Sequence, residues 1–158
     1  MNERNEASES GIERQLSEQG VYVSTTVGWS MFPMLRNRRD RIIILPIGEE
    51  DLKKYDLPLY RRPDGKYVLH RILSVKKDHY VIRGDNTFKK EYVPKEWVLG
   101  YVSEFYRQDR HVRSDARGYR LYARLWRWIY PVRWCLYFAR RCIGKLKRML
   151  FSKKEDKK

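Results

Sequence analysis

A serine, a histidine and an aspartate stand in contexts that could support acyl transfer. Ser30 lies in Gly28-Trp29-Ser30-Met31-Phe32-Pro33, directly after an alternating, strand-like run over 21–27. A serine hydroxyl is a poor nucleophile unless a base takes its proton and N–H groups await the oxyanion. Gly28 would let a substrate backbone approach closely, and Pro33 stops a smooth continuation of the strand. His70, in Leu69-His70-Arg71-Ile72, is the side-chain type that accepts a hydroxyl proton near neutral pH. Asp85 sits in Gly84-Asp85-Asn86 at the end of another apolar run. Each fragment alone also fits a plain role: a turn serine, a half-buried strand histidine and an ordinary Gly-Asp-Asn turn.

These residues need a scaffold of strands. Alternating or β-branched runs over 21–27, 41–47, 56–61, 66–76, 79–83 and 97–107 predict six short strands. Pro63-Asp64-Gly65 and Lys77-Asp78 mark turns between them. No helix of ten residues fits between 21 and 107. The expectation is a mostly-β fold, a coiled antiparallel sheet or barrel. Ile12 and Leu16 at i, i+4, followed by Gly20, predict a short helix over 11–19, and 1–10 reads as too polar to fold. After Tyr119 the apolar spacing becomes helical, and Pro131 divides it into helices near 116–130 and 132–150. The chain therefore reads as a polar segment with a short helix (1–20), a β domain (21–107) and a basic, aromatic helical extension (108–158).

Taken in order, GWSMFPML at 28–35, LHRI at 69–72 and GDN at 84–86 resemble the signal peptidase I and LexA-type serine peptidase superfamily. The closest branch is the histidine-using one, typical of endoplasmic-reticulum and archaeal-type signal peptidases. Relatives that use a lysine base place it near His70, and no lysine stands in that motif here. The resemblance covers roughly 21–106. It implies the fold of that superfamily and a serine endopeptidase that cleaves a leader or precursor peptide through an acyl-enzyme. Ser30 would be the nucleophile, with its own amide helping to bind the oxyanion, and His70 the general base and then acid. Asp85 is the first choice for the acid that orients His70. In eukaryotic-type relatives the usual acid falls six residues after the GDN aspartate, which here is Glu91. Gly28, Met31, Pro33, Arg71, Gly84 and Asn86 would support the site. Signal peptidases normally carry a membrane anchor and LexA-type members a helix-turn-helix; the sequence offers neither an apolar run of spanning length nor room for the second. No Ala-Gly or Cys-Gly pair precedes Ser30, which disfavours a self-cleaving regulator. The alternative is a non-catalytic, membrane- or partner-binding member of the fold.

Charge is concentrated at one end. The chain carries a formal +15, of which residues 107–158 supply 17 basic against 4 acidic side chains. Three tryptophans and regularly spaced arginines over 116–150 suit an anionic membrane surface, where aromatic rings favour the boundary and arginine reaches head groups. No recognised nucleic-acid motif accompanies the charge, so nucleic acid is disfavoured as a partner. The three histidines are not at ligand spacing and the two cysteines form no CxxC, so no metal or other cofactor is expected. Cys135 and Cys142 would be about 10 Å apart on a helix, too far for a disulfide. Together with a polar N-terminus lacking a secretory signal, this places the chain in the cytoplasm, peripherally on the inner face of the membrane.

Overall fold

The computed structural model describes residues 3–155, with side chains described over 11–143. The last basic residues of the tail, 156–158, lie outside the described residues. The chain divides into two compact units, Met1–Ala123 and Arg124–Lys158.

The first unit is mostly antiparallel sheet. Helix α1 (Glu3–Gln19) is followed by β1 (Tyr22–Thr25), β2 (Arg41–Pro46), β3 (Pro58–Arg61), β4 (Tyr67–Leu69), β5 (Arg71–Val75), β6 (His79–Arg83), β7 (Glu91–Pro94), β8 (Val98–Arg107) and β9 (Arg110–Arg113). One curled sheet runs β1-β2-β8-β3-β4, with β9 also paired to β8; a second runs β5-β6-β7. The ten-residue β8 is the spine of the larger sheet, pairing with β2, β3 and β9 along different stretches. At Gly100 it passes so close to β2 that a Cβ would lie 2.5 Å from the Leu45 carbonyl oxygen.

Four expectations change. Helix α1 begins at Glu3, ahead of the expected start at 11, because Glu, Arg and Ala are good helix formers despite their polarity. The single strand expected over 66–76 is two strands in different sheets: β4 pairs with β3, whereas β5 pairs with β6. Strands β7 and β9 were not expected; one is four residues ending in proline, the other is arginine-rich. Among the described residues there are therefore nine strands, in two sheets, where six strands were read.

Strand alternation builds two cores. Leu16, Leu35, Ile44, Leu59, Phe105 and Tyr119 belong to one; Tyr60, Ile72, Tyr80, Ile82, Val93 and Val98 fill the other, between the two sheets. Successive residues of β3 thus face opposite cores, Leu59 one and Tyr60 the other. Fully burying a side chain such as Ile44 or Ile72 stabilises by roughly 1.5–3 kcal/mol, so the register is firmly held. That register is what sends the Tyr60 hydroxyl toward the second sheet.

Helix α2 (Arg117–Trp128) begins in the first unit, where Tyr119 and Ala123 are buried, and runs into the second. Helix α3 (Tyr130–Glu155) makes up most of the second unit. Pro131 falls in its first turn, where a missing N–H costs nothing. Among the described residues, no helix is long and apolar enough to cross a membrane.

Candidate active site

Ser30 occupies a loop that its own neighbours hold in shape. Gly28 has φ +104°, a conformation that side chains rarely adopt, and its amide donates to Asn37 Oδ1 at 2.9 Å. The Phe32 amide donates to the Trp29 carbonyl and the Leu35 amide to the Met31 carbonyl. Farther along, the buried Asp40 accepts from the Arg36 amide at 2.9 Å, closing the loop onto the start of β2. Met31 is buried in the first core, while Ser30 is half-buried and Trp29 exposed. The Ser30 carbonyl accepts from the Asn86 amide at 2.7 Å, so the Gly84-Asp85-Asn86 turn fixes the serine from the opposite side. The Ser30 amide itself makes no hydrogen bond within the described residues.

His70 is the single residue between β4 and β5, where the chain leaves one sheet for the other. It is 5% exposed. Its Nδ1 lies 3.2 Å from Glu91 Oε1 and 3.3 Å from the Tyr60 hydroxyl. Tyr60 donates to Glu91 Oε2 at 3.0 Å, and Arg62 donates to both Glu91 oxygens, at 2.9 and 2.6 Å. An ionised carboxylate only accepts, so the imidazole nitrogen facing it carries the proton and Nε2 is the free base. Nε2 turns toward Gly84: a Cβ there would lie 3.0 Å from His70 Nε2 and 2.7 Å from the Ser30 carbonyl oxygen. Only glycine leaves room for the imidazole and the serine loop to close on the same point. Ser30 and His70 are not hydrogen-bonded to each other; such contacts commonly tighten only when substrate is bound.

The electrostatics favour a neutral imidazole. Burial pushes the His70 pKa below its ordinary value, and the nearby Glu91 charge opposes that shift without cancelling it. Burial also works against ionisation of Glu91, but hydrogen bonds from Arg62 and Tyr60 outweigh it and hold the carboxyl below its usual range. Burial, reinforced by the Glu91 charge, pushes the Tyr60 hydroxyl well up, so it stays a donor.

The other carboxylate does different work. Both Asp85 oxygens accept from Arg71, from Nε at 2.8 Å and from Nη2 at 2.7 Å, with both side chains 3% exposed. Arg71 also donates to the Tyr119 hydroxyl at 2.7 Å, the Tyr55 carbonyl at 3.2 Å and Met34 Sδ at 2.8 Å. Desolvation disfavours the guanidinium charge, and Asp85 more than compensates, so Arg71 stays charged. Of the two candidate acids, Glu91 is the one in contact with His70, and Asp85 pairs with Arg71, the arginine that ties the serine loop to β5 and α2. Arg71, Gly84, Asn86 and Met31 are supports with identifiable contacts; Pro33 lies half-buried in the same loop. Tyr60 and Arg62 were not foreseen. Their signal was faint: two polar groups at i, i+2 on the end of an apolar strand, hence on one face.

Ser30, His70 and Glu91 open onto one cleft of about 590 Å³. Its walls include Ser24 and Thr25 of β1 and Tyr67, Val68 and Leu69 of β4, the two terminal strands of the larger sheet. Ile12 of α1, Ile42, Ile44 and Leu59 make its floor apolar. Among the described residues no group of three His, Cys, Asp or Glu side chains could hold a metal ion.

No protein-family model matches the chain, and no curated protein is similar to it.

Proposed function

We propose that the protein is a serine endopeptidase of the signal peptidase–LexA type, acting on a leader or precursor peptide with Ser30, His70 and Glu91 as its triad. The observation that carries this reading is the imidazole geometry: Nδ1 is committed to Glu91 and Tyr60, and Nε2 and the Ser30 carbonyl both close on Gly84.

In this reading a peptide lies extended in the cleft and pairs with the open edges of β1 and β4. Ser30 Oγ attacks the scissile carbonyl while His70 Nε2 takes the hydroxyl proton. Glu91 stabilises the imidazolium without accepting its proton. The Ser30 amide donates to the oxyanion. Collapse of the tetrahedral adduct breaks the C–N bond, His70 protonates the departing amine, and an acyl-enzyme remains on Ser30. Water, activated by His70, then releases the acid and regenerates the hydroxyl. Exposed, unpaired Cys135 and Cys142 agree with work in a reducing compartment, on the cytoplasmic face of the membrane.

A second reading, a non-catalytic binding member of the fold, draws on one observation: Ser30 and His70 are not in hydrogen-bond contact. A peptide library incubated with wild type, Ser30→Ala and His70→Ala separates the two, with cuts read by mass spectrometry. The peptidase reading expects cleavage by wild type alone; equal patterns from all three proteins, or none from any, refute it.

A further inference from the structure

We propose that the second unit is a docking element for a bilayer surface containing anionic lipid. The inference stands on that unit alone and does not depend on the peptidase reading.

The helical ladder continues across the α2–α3 junction: the Ile129 amide donates to the Leu125 carbonyl at 3.0 Å and the Arg133 amide to the Ile129 carbonyl at 3.1 Å. At about 100° per residue, Leu125, Trp128, Ile129, Val132, Leu136 and Ile143 then share one stripe. All six are exposed, from 46% at Ile129 to 83% at Trp128. Cationic side chains flank and back the stripe, with Arg124, Arg127, Arg140 and Arg141 all exposed. Between Asp115 and Glu155 the sequence contains no carboxylate at all. The side away from the stripe carries aromatic rings, with Trp134 against Phe138 at 4.9 Å and Arg133 over Trp126 at 4.1 Å.

Three occupants could cover such a face, and charge chooses among them. A second copy would bury the stripe but set arginine against arginine with no acidic flank to pair them. A nucleic acid would meet the arginines and leave the aliphatic stripe in water. An anionic bilayer meets both requirements at once. The stripe enters the boundary region with Trp128 at its edge, and the flanking Arg124 and Arg140 reach phosphates. The helix lies in the surface plane, since no described helix is apolar enough to span.

The test is flotation of the full-length protein with phosphatidylcholine vesicles, with and without phosphatidylglycerol, at low and high salt. Wild type floats with the phosphatidylglycerol vesicles, the bound fraction falls with salt, and tryptophan emission shifts to the blue. The stripe variant Ile129→Asp/Leu136→Asp stays at the bottom. Arg124→Gln/Arg140→Gln binds on the order of twenty-five-fold more weakly, about fivefold for each lost charge. All these positions are solvent-exposed, and unchanged near-UV circular dichroism checks that each variant is folded. The proposal is overturned if wild type fails to float with either vesicle, or if the stripe variant floats as wild type does. It is equally overturned if wild type is a stable dimer that the stripe variant dissociates, or if it binds DNA in a salt-sensitive way without floating.

Discussion

His70 Nδ1 sits 3.2 Å from Glu91 Oε1, although twenty-one positions and two strands separate them in the chain. The contact fixes the imidazole tautomer, and Arg62 and Tyr60 hold the carboxylate against it. The proposed chemistry follows from that arrangement, and it sets a pH dependence.

Burial depresses the His70 pKa, so the catalytically competent neutral form persists below the ordinary imidazole value of 6.5. The acid limb of kcat/KM is therefore expected below pH 6.5. Glu91→Gln removes the charge that raises this pKa, so the limb moves further toward acid while kcat/KM falls on the order of 10²–10⁴-fold. A pH–rate profile of both proteins checks this; a limb that moves upward in the variant contradicts it.

Arg62 and Glu91 couple the site to stability. The Glu91 pKa is lower folded than its ordinary 4.5. A depressed carboxyl pKa stabilises the fold above the unfolded value, and that contribution is lost as pH falls through the folded one. Because the Arg62 side chain is 33% exposed, solvent screening limits the effect. Arg62→Met is expected to cost about 1 kcal/mol at pH 7, with the deficit shrinking below about pH 4. Urea denaturation at the two pH values measures it.

Asp85 and Arg71 form a buried pair, and removing one partner strands the other's charge. Asp85→Ala is expected to cost about 3–5 kcal/mol, whereas Arg71→Met/Asp85→Leu recovers part of that loss. Thermal unfolding distinguishes the three proteins. At a temperature where Asp85→Asn is folded, its acid limb stays close to the wild-type position, because the Nδ1 partner is untouched. A limb displaced as far as that of Glu91→Gln would make Asp85 the orienting acid.

Gly84→Ala puts a methyl group where the Ser30 carbonyl and His70 Nε2 already crowd. The backbone at Gly84 is not in the left-handed region, so the penalty is steric. The expected result is a loss of about 10²-fold in kcat/KM from displaced reacting groups, with about 1–3 kcal/mol of destabilisation. Paired activity and denaturation measurements on the variant test both effects.

The residues that matter here were unequally legible in the sequence. Ser30 and His70 stand in short motifs that point to them directly, and the apolar, β-branched runs of β2, β6 and β8 expose the sheets. The break at His70 was hidden, because period-two alternation carries straight on when a strand changes partners. Strand β9 was missed because its alternation is between charged residues and one valine. Asp85 and Glu91 look equivalent from spacing alone; the decision rests on which arginine each finds, Arg71 or Arg62, and both pairings are tertiary. Tyr60 reaches the imidazole only because the register of β3 turns it toward the second sheet.

The central claim is that Ser30 transfers its proton to His70. A fluorophosphonate probe reports on it directly, since it captures a serine oxygen only when a base activates it. The account predicts one covalent adduct, mapped by mass spectrometry to Ser30, absent in Ser30→Ala and slowed by on the order of 10³-fold or more in His70→Ala. Folded wild type that forms no adduct at Ser30, or a His70→Ala protein labelled as fast as wild type, would contradict it.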